Sequence, residues 1–285
     1  MHKFRGVLEL TRIEHSAMLI IAVVASELIS GKLPGPTVLL LSLITPVFIS
    51  MGAFAINDYF DIGVDRMNRK HRPIVRGDIT PNEALYITAI SMTIGIIAGS
   101  MINIYCTAIA IFFAAVSILY SYKLKELPMV GNAYVAFAMS VPFIFGNYAV
   151  TIRADPAVLV IFSMIFVSGL AREINGTMRD YAGDSKARNA STLPSVVGLR
   201  RSGYMALTLY VIAIAVSAYL FLFMPPFMSN LAYGVPILAS DAMLLYSGMV
   251  FALGKKRLYE SIRNISLGGM ALALVCILIS SVLYI

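Results

Sequence analysis

The sequence predicts an all-α, polytopic membrane protein, a bundle of nine transmembrane helices around a central cavity. Three observations support this fold class. Hydrophobic residues make up 59% of the 285 residues and charged residues only 13%, apolar runs recur along the whole chain, and the basic residues are confined to alternate loops. Such a composition lies far outside the range of soluble domains. We expect residues 1–285 to form a single transmembrane domain.

Nine apolar segments are close to the length of about 20 residues that a helix needs to cross a bilayer. Residues 1–16 mix basic and apolar side chains, which predicts an interfacial helix that leads into the first of these segments. The approximate bounds of the nine segments are 13–30, 37–56, 84–103, 105–122, 132–151, 157–175, 203–224, 229–253 and 262–284.

The basic residues orient these segments in the membrane. All but two of the 22 lysines and arginines lie in the N-terminal segment, in the even-numbered loops or at the span ends next to those loops, the exceptions being Lys32 and Arg153. Because positive residues mark cytoplasmic loops, the N-terminus and the even-numbered loops are predicted to be cytoplasmic and the C-terminus external. We expect an integral membrane protein, in a prokaryotic cell membrane, in contact with lipid.

Several functional classes find no support in the sequence. Cys106 and Cys276 both lie in apolar runs, so neither a disulfide framework nor a thiolate metal site is predicted. Glycine-rich phosphate loops, Ser-His-Asp arrangements and nucleic-acid modules are absent from the sequence. The net charge of +7 belongs to membrane orientation, and no nucleic-acid partner or obligate protein partner is expected.

An acidic motif follows the second predicted span. On a helix, Asn57, Asp58, Asp61 and Asp65 would fall within an arc of roughly 100°. An ionised aspartate at mid-bilayer costs on the order of 3 kcal/mol, so this face requires compensation. A divalent cation would provide it, and oxygen ligands favour magnesium or calcium over zinc.

Cationic and hydroxyl side chains are expected near this motif. Pro73 disfavours helix at Arg72 and fixes that guanidinium beside the acids, where it suits a phosphate. Arg12 is a candidate for the same anionic headgroup. Span four ends in Tyr120, Tyr122 and Lys125, which belong either to the substrate site or to an aromatic belt with snorkelling lysines.

A second acidic face follows the sixth span. Glu173, Thr177, Asp180 and Asp184 would lie within an arc of roughly 60° on a helix, and Lys186 follows them. The two motifs are four spans apart, which predicts a parallel repeat with the two acidic faces meeting across the cavity. Asp241, in span eight, has no predicted role.

Two acidic clusters above apolar helices specify a ligand with a strongly anionic head and a long hydrocarbon tail. A polyprenyl diphosphate held through Mg²⁺ has this chemistry. Magnesium and basic side chains would neutralise the charge on the departing diphosphate. Exclusion of water would preserve the allylic cation for the intended acceptor.

The sequence NDYFDIGVD followed by RPI, residues 57–74, closely resembles the first signature of the UbiA family of intramembrane prenyltransferases. The sequence DYAGD, residues 180–184, resembles the second. The resemblance implies one prenyltransferase domain over residues 1–285, with a cavity open to the cytoplasmic side and laterally to lipid. It also implies two Mg²⁺ ions. The implied metal ligands are Asn57, Asp58, Asp61, Asp65, Asp180 and Asp184, and the implied diphosphate ligands are Arg72, Lys125 and Lys186.

The chain departs from the family pattern at its second motif. Thr177 stands where many relatives have an acid, and Ala182 replaces another common acid. Either metal affinity is lower at this site or Glu173 compensates. We also assign a catalytic or substrate-positioning role to Tyr120, Tyr122, Glu173 and Thr177.

Two acceptors are compatible with these motifs, an aromatic quinone precursor and geranylgeranylglyceryl phosphate. The alternative functions are a membrane transporter or ion pathway with the aspartates as cation sites, and a non-catalytic lipid-binding protein. Acids at a single membrane level in a parallel repeat do not favour a transporter.

Overall fold

A computed structural model of the protein describes residues 2–31, 33–67, 71–187 and 192–284, and the side chains of these residues other than 2 and 182–187. Within these ranges the chain forms helices and no strands. The α-helices are α1 His2–Thr11, α2 Ser16–Ile29, α3 Pro36–Phe60, α4 Ile62–Met67, α5 Pro73–Arg76, α6 Pro81–Ser100, α7 Ile104–Tyr122, α8 Val130–Val150, α9 Pro156–Ala187, α10 Leu193–Val197, α11 Leu199–Phe223, α12 Leu231–Ala252 and α13 Tyr259–Leu283.

Among the described residues, eight helices are long and apolar enough to cross a membrane: α3, α6, α7, α8, α9, α11, α12 and α13. They correspond to predicted spans two to nine. The first predicted span, 13–30, is α2, which has only 14 residues because a 3₁₀ turn at Ile13–His15 separates it from α1. The all-α membrane fold is confirmed, and the predicted count of nine spans agrees approximately.

The chain divides into two compact units, and the first comprises Met1–Ile20 and Pro34–Lys125. Its central helix, α3, packs against α6, α7 and α1. Small residues allow α3 and α6 to approach closely, since a Cβ on Gly52 would lie 2.6 Å from Met92 Cγ and a Cβ on Gly95 would lie 2.8 Å from Ile49 Cγ1. This tight pair anchors the part of α3 that leads into the first acidic motif, which begins at Asn57.

The second unit comprises Ile21–Leu33 and Glu126–Ile285. Its longest helix, α9, packs against α8 and α11, and α12 packs against α13 and α11. Buried side chains of these helices, among them Ile174, Tyr210, Phe251 and Ile262, form a hydrophobic cluster beside the second acidic motif. The cluster includes Ala171, Ile174 and Met178 of α9 and so packs against the stretch of that helix that leads into Asp180.

Asp241 lies in α12 of the second unit. Ser217 Oγ, on α11, donates a 2.6 Å hydrogen bond to Asp241 Oδ2. This contact gives the acid in span eight a structural role, a polar link between two neighbouring apolar helices.

Candidate active site

The first acidic motif lies at a break between two helices. Helix α3 ends at Phe60, and Asp61 follows with φ −88° and ψ 0° before α4 begins. The motif therefore departs from the single continuous helix expected from the sequence. Backbone hydrogen bonds nevertheless continue across the break, from Asp61 N to Asn57 O at 3.0 Å and from Asp65 N to Asp61 O at 2.8 Å. The three aspartates remain grouped because the helical path is interrupted only briefly.

All three carboxylates of this motif are buried. Asp58 is 2% exposed, Asp61 9% and Asp65 3%. Asn57 Nδ2 donates to Asp61 Oδ2 at 3.1 Å, which joins the amide to the acids. Buried carboxylates require paired cations or a metal, so the surroundings of each one indicate what the site is built to bind.

Each aspartate has a basic partner from another segment of the first unit. Arg12 Nη2 donates to Asp58 Oδ1 at 3.0 Å, and Lys125 Nζ donates to Asp61 Oδ1 at 2.8 Å. Arg72 is more distant, with 3.9 Å between its Nε and Asp65 Oδ2. These are three of the four basic residues that the sequence assigned to the diphosphate. The structure brings all three to the first motif.

Arg12 reaches the motif through an unusual backbone conformation. It lies between α1 and the 3₁₀ turn with φ 47° and ψ 50°, a left-handed conformation that costs a non-glycine residue about 1–3 kcal/mol. Its guanidinium stacks over the Phe54 ring at 4.5 Å from the centroid. Burial lowers the pKa of the Arg12 guanidinium, while the charge of Asp58 opposes that shift. Stacking on Phe54 and the ion pair with Asp58 hold this cation at the site and offset the backbone strain.

Arg72 has the extended conformation that Pro73 predicts, with φ −79° and ψ 149°. The segment carrying it is held by Arg76, whose Nη1 donates to the His71 carbonyl oxygen at 2.9 Å. Arg76 Nη2 also donates to Glu9 Oε2 and Asp78 Oδ2, each at 2.6 Å. These acids raise the pKa of Arg76. The network connects α1 to the loop that positions Arg72.

The first motif fits a magnesium ion in its chemistry. Its candidate ligands are oxygen atoms, the donors that Mg²⁺ prefers, and Asp58 Oδ2 is buried without a hydrogen-bond partner. Among the described residues no three metal-binding side chains are gathered closely enough to form a metal site on their own. Oxygen atoms of a bound diphosphate would complete such a coordination shell.

The second motif lies on the continuous helix α9, as the sequence predicted. Arg172 Nη1 donates to Glu173 Oε1 at 2.7 Å, and Arg179 Nε donates to Asp180 Oδ1 at 2.7 Å. Thr177 Oγ1 donates to the Ile174 carbonyl oxygen at 2.8 Å. Glu173, Thr177 and Asp180 line one cavity of about 270 Å³. Asp184 and Lys186 lie outside the residues whose side chains the structure describes.

The two tyrosines predicted for substrate positioning differ in exposure. Tyr122 is 63% exposed and its ring packs edge-on against Phe60 at 5.7 Å. Tyr120 is half-buried on α7. An exposed Tyr122 fits the aromatic-belt interpretation, which places amphipathic rings at the membrane interface.

Sequence reasoning missed several residues of these sites. The sequence predicted no role for Arg76 beyond its positive charge, although it lies about one helical turn after Pro73. Asn175 and Arg263 also line the cavity beside the second motif. Arg263 lies about 80 residues farther along the chain and carries no sequence signal that connects it to α9.

The model of the UbiA prenyltransferase family matches residues 18–268. Digeranylgeranylglyceryl phosphate synthase of Archaeoglobus fulgidus is 34% identical over 276 residues, which cover 95% of this chain and 93% of the relative. The synthase of the same name from Methanopyrus kandleri is 33% identical over 279 residues, covering 97% and 99%.

Solved structures of related proteins share the fold of this chain. One, described as giving structural and mechanistic insights into the biosynthesis of digeranylgeranylglyceryl phosphate synthase in membranes, matches with a TM-score of 0.82 at 26% identity and covers 99% of both chains. A UbiA homologue from Archaeoglobus fulgidus, bound to GPP and Mg²⁺, has a TM-score of 0.66 at 19% identity and covers 95% of this chain and 99% of its own. This chain therefore belongs to the UbiA prenyltransferase family and is an intramembrane prenyltransferase.

Proposed function

We propose that this enzyme transfers a polyprenyl group from its diphosphate to the free glycerol hydroxyl of geranylgeranylglyceryl phosphate. The observation that carries the choice of acceptor is the similarity to synthases named for digeranylgeranylglyceryl phosphate, at 34% identity across 95% of the chain. In this reaction the hydroxyl oxygen forms an ether bond to the first carbon of the prenyl group. The bond from that carbon to the diphosphate breaks, and the hydroxyl proton is released.

We propose that Mg²⁺ binds the donor diphosphate, as the homologue described with GPP and Mg²⁺ supports. Two ions are expected because the chain carries two acidic motifs. The first motif supplies Asn57, Asp58, Asp61 and Asp65, and the second supplies Asp180 and Asp184. When bound, the metal neutralises the negative charge that develops on the departing diphosphate.

The basic side chains complete this neutralisation. Arg12, Arg72, Lys125 and Lys186 are assigned to the diphosphate oxygens. The first three already lie beside carboxylates of the first motif, so each has a short path from an aspartate to a phosphate oxygen. Once they contact the diphosphate, these cations are already in place where negative charge develops as it departs.

Glu173 and Thr177 are assigned to position the acceptor hydroxyl, since both line the cavity of the second unit. Tyr120 is assigned to the allylic end of the prenyl chain, and Tyr122 to the rim. We further propose that the whole chain, residues 1–285, acts as one prenyltransferase domain. Its N-terminus and both acidic motifs face the cytoplasm and its C-terminus is external, as the placement of basic residues favours.

The acceptor is tested by offering the purified enzyme geranylgeranyl diphosphate and Mg²⁺ with either geranylgeranylglyceryl phosphate or an aromatic quinone precursor. We expect mass spectrometry to detect one added C20 unit only on the glyceryl phosphate, with one diphosphate released per product. Transfer to the aromatic compound alone would contradict the proposed acceptor. Diphosphate release should occur without ion flux in proteoliposomes, which separates the enzyme from a transporter.

A further inference from the structure

A cavity of about 270 Å³ lies between α9 and α13 in the second unit. Three arginines line it, Arg172 and Arg179 from α9 and Arg263 from α13. Two of its acids, Glu173 and Asp180, are each bound to an arginine next to them in the chain. Pairing of these acids leaves Arg263 as the uncompensated charge of the cavity.

Hydrogen-bond donors are in excess here. Arg172 Nε is buried and meets no acceptor, although the Nη1 of the same residue is bound to Glu173. Arg179 is shared between Asp180 and Glu260. Across the described part of the chain, the Arg263 guanidinium makes no ion pair or hydrogen bond. A ligand rich in acceptor oxygens would satisfy these groups, and arginine forks match the geometry of phosphate.

Asn175 is an independent observation that points to a ligand. Its side chain is 4% exposed, it lines the cavity, and neither its amide nitrogen nor its amide oxygen has a hydrogen-bond partner. The hydroxyl of neighbouring Tyr210 also lacks one. The Tyr210 hydroxyl lies close to Asn175, but without the geometry of a hydrogen bond. Burying an unsatisfied polar group costs about 1–3 kcal/mol, so a ligand that supplied partners here would be favoured. An incoming polar headgroup would provide the missing partners.

We propose that this cavity binds the phosphate group of the acceptor lipid, with Arg263 and Asn175 as its specificity-determining contacts. The inference rests on the proposed function, because it assumes an acceptor that carries a phosphate. Glu173 and Thr177 line the same cavity, which places the groups assigned to the acceptor hydroxyl next to the phosphate site. A glyceryl phosphate presents a hydroxyl and a phosphate on one three-carbon unit and spans these neighbouring groups.

Steady-state kinetics test the assignment in the full-length enzyme. Arg263 is exposed, so Arg263→Gln should fold normally. We expect it to raise the acceptor KM about tenfold, the loss typical of one hydrogen bond to a charged group, and to change the donor KM less than about twofold. Arg257→Gln, at an exposed arginine outside the cavity, is the matched control and should change neither constant. A rise in donor KM, or no change in acceptor KM, would overturn the proposal.

Binding without chemistry separates this inference from the proposed function. In detergent and without donor, geranylgeranylglyceryl phosphate should raise the thermal unfolding midpoint of the wild-type and Arg257→Gln proteins, and should raise that of Arg263→Gln much less. Geranylgeranylglycerol, which lacks the phosphate, should have little effect on any of them. Equal stabilisation of all three proteins by the phosphate-bearing lipid would contradict the site. Binding that depends on Arg263 with no prenyl transfer would support the site and contradict the proposed function.

Two further experiments test whether Asn175 has only a structural role and whether the cavity binds the headgroups of ordinary membrane lipids. Asn175→Leu removes a buried amide without a partner and should leave the unfolding midpoint unchanged or higher, while it abolishes the shift caused by the acceptor. Loss of folding stability in this variant would mean that Asn175 is structural. Vesicles containing phosphatidylglycerol should compete with the acceptor no better than phosphatidylcholine vesicles. Strong competition by phosphatidylglycerol would reassign the cavity to membrane-lipid headgroups.

Discussion

The two acidic motifs obtain their counterions in different ways. In the first motif the partners are remote in sequence, since Arg12 and Lys125 lie 46 and 64 residues from the aspartates that they contact. In the second motif the partners are adjacent, as Arg172 binds Glu173 and Arg179 binds Asp180. The first motif is therefore assembled by tertiary structure, whereas the pairs of the second exist wherever α9 forms.

The aspartate side chains of the two motifs also differ in how deeply they are buried. The side chains of Asp58 and Asp65 in the first motif are 1% and 4% exposed, whereas that of Asp180 is 49% exposed. Electrostatic interactions are stronger away from water, so a change in the first motif should have the larger effect.

The largest expected effect is on Asp61. Asp61→Asn keeps the shape of the side chain but removes the charge that the proposed metal and Lys125 require. We expect kcat to fall roughly 10³-fold, because preorganised electrostatic groups in such sites contribute on this scale. The kcat of Asp180→Asn should fall less, since the Asp180 carboxylate is half-exposed and already paired with Arg179. Initial rates of diphosphate release at saturating Mg²⁺ measure both.

Both variants should remain folded and extractable in detergent. An Asp180→Asn enzyme that lost more activity than Asp61→Asn would contradict the ranking derived from burial. Retained activity in both variants would remove these residues from the metal assignment.

Lys125 should have the next largest effect. Its ammonium lies 2.8 Å from Asp61 Oδ1, and its side chain is only 9% exposed. Lys125→Ala should lower kcat/KM for the donor about 10²-fold, as expected for loss of one cation that stabilises a departing diphosphate. Lys123→Ala is the matched control, because Lys123 is exposed at the end of α7. Equal losses in the two variants would indicate a general charge effect at the membrane surface.

Arg12→Ala should affect stability as well as catalysis. Its loss leaves the buried Asp58 without its partner, which costs about 3–5 kcal/mol when one member of a buried ion pair is removed. The lower thermal unfolding midpoint should be accompanied by a higher donor KM. Arg5→Ala, at an exposed position of the preceding helix α1, should change neither. Arg12→Lys should not restore the wild-type values, since an ammonium lacks the planar fork and stacks less well on Phe54.

Most of the fold could be predicted because membrane spans have a simple physical signature. Apolar length and the bias of Lys and Arg located the eight long helices of the described chain to within a few residues, except at the C-terminal end of α9, which continues to Ala187 although the predicted span ends at 175. The first span was less regular, because the strained backbone at Arg12 divides that segment into α1, a 3₁₀ turn and α2. Hydropathy does not report such a break, which is stabilised by the contact with Asp58.

The candidate site was predictable where chemistry is local. Asn57, Asp58, Asp61 and Asp65 are close in sequence and remain close in space, and Pro73 correctly fixed the extended conformation of Arg72. The contacts of Arg76 with Glu9, across 67 residues, depend on how α1 packs against α3 and α5. Charge and spacing carry no information about such packing, so these residues were missed.

The smallest expected effect lies in the link between Glu9 and Arg76. The hydrogen bond from Arg76 lowers the pKa of Glu9 below its ordinary value of 4.5, so Glu9 stabilises the folded state above that value and loses its contribution as the pH falls through the lowered pKa. The protection of the α1 amides, corrected for the pH dependence of intrinsic exchange, should therefore fall on acidification below pH 4.5, and Glu9→Gln should show the lower protection already at neutral pH. The effect is small because exposed ion pairs are weak and screened by salt. Arg5→Gln is the control, because it removes the other partner of Glu9 but leaves Arg76 in place, and it should retain most of the protection. If the α1 amides of Arg5→Gln exchange as fast as those of Glu9→Gln, the Arg76 network does not hold α1 to the loop that carries Arg72.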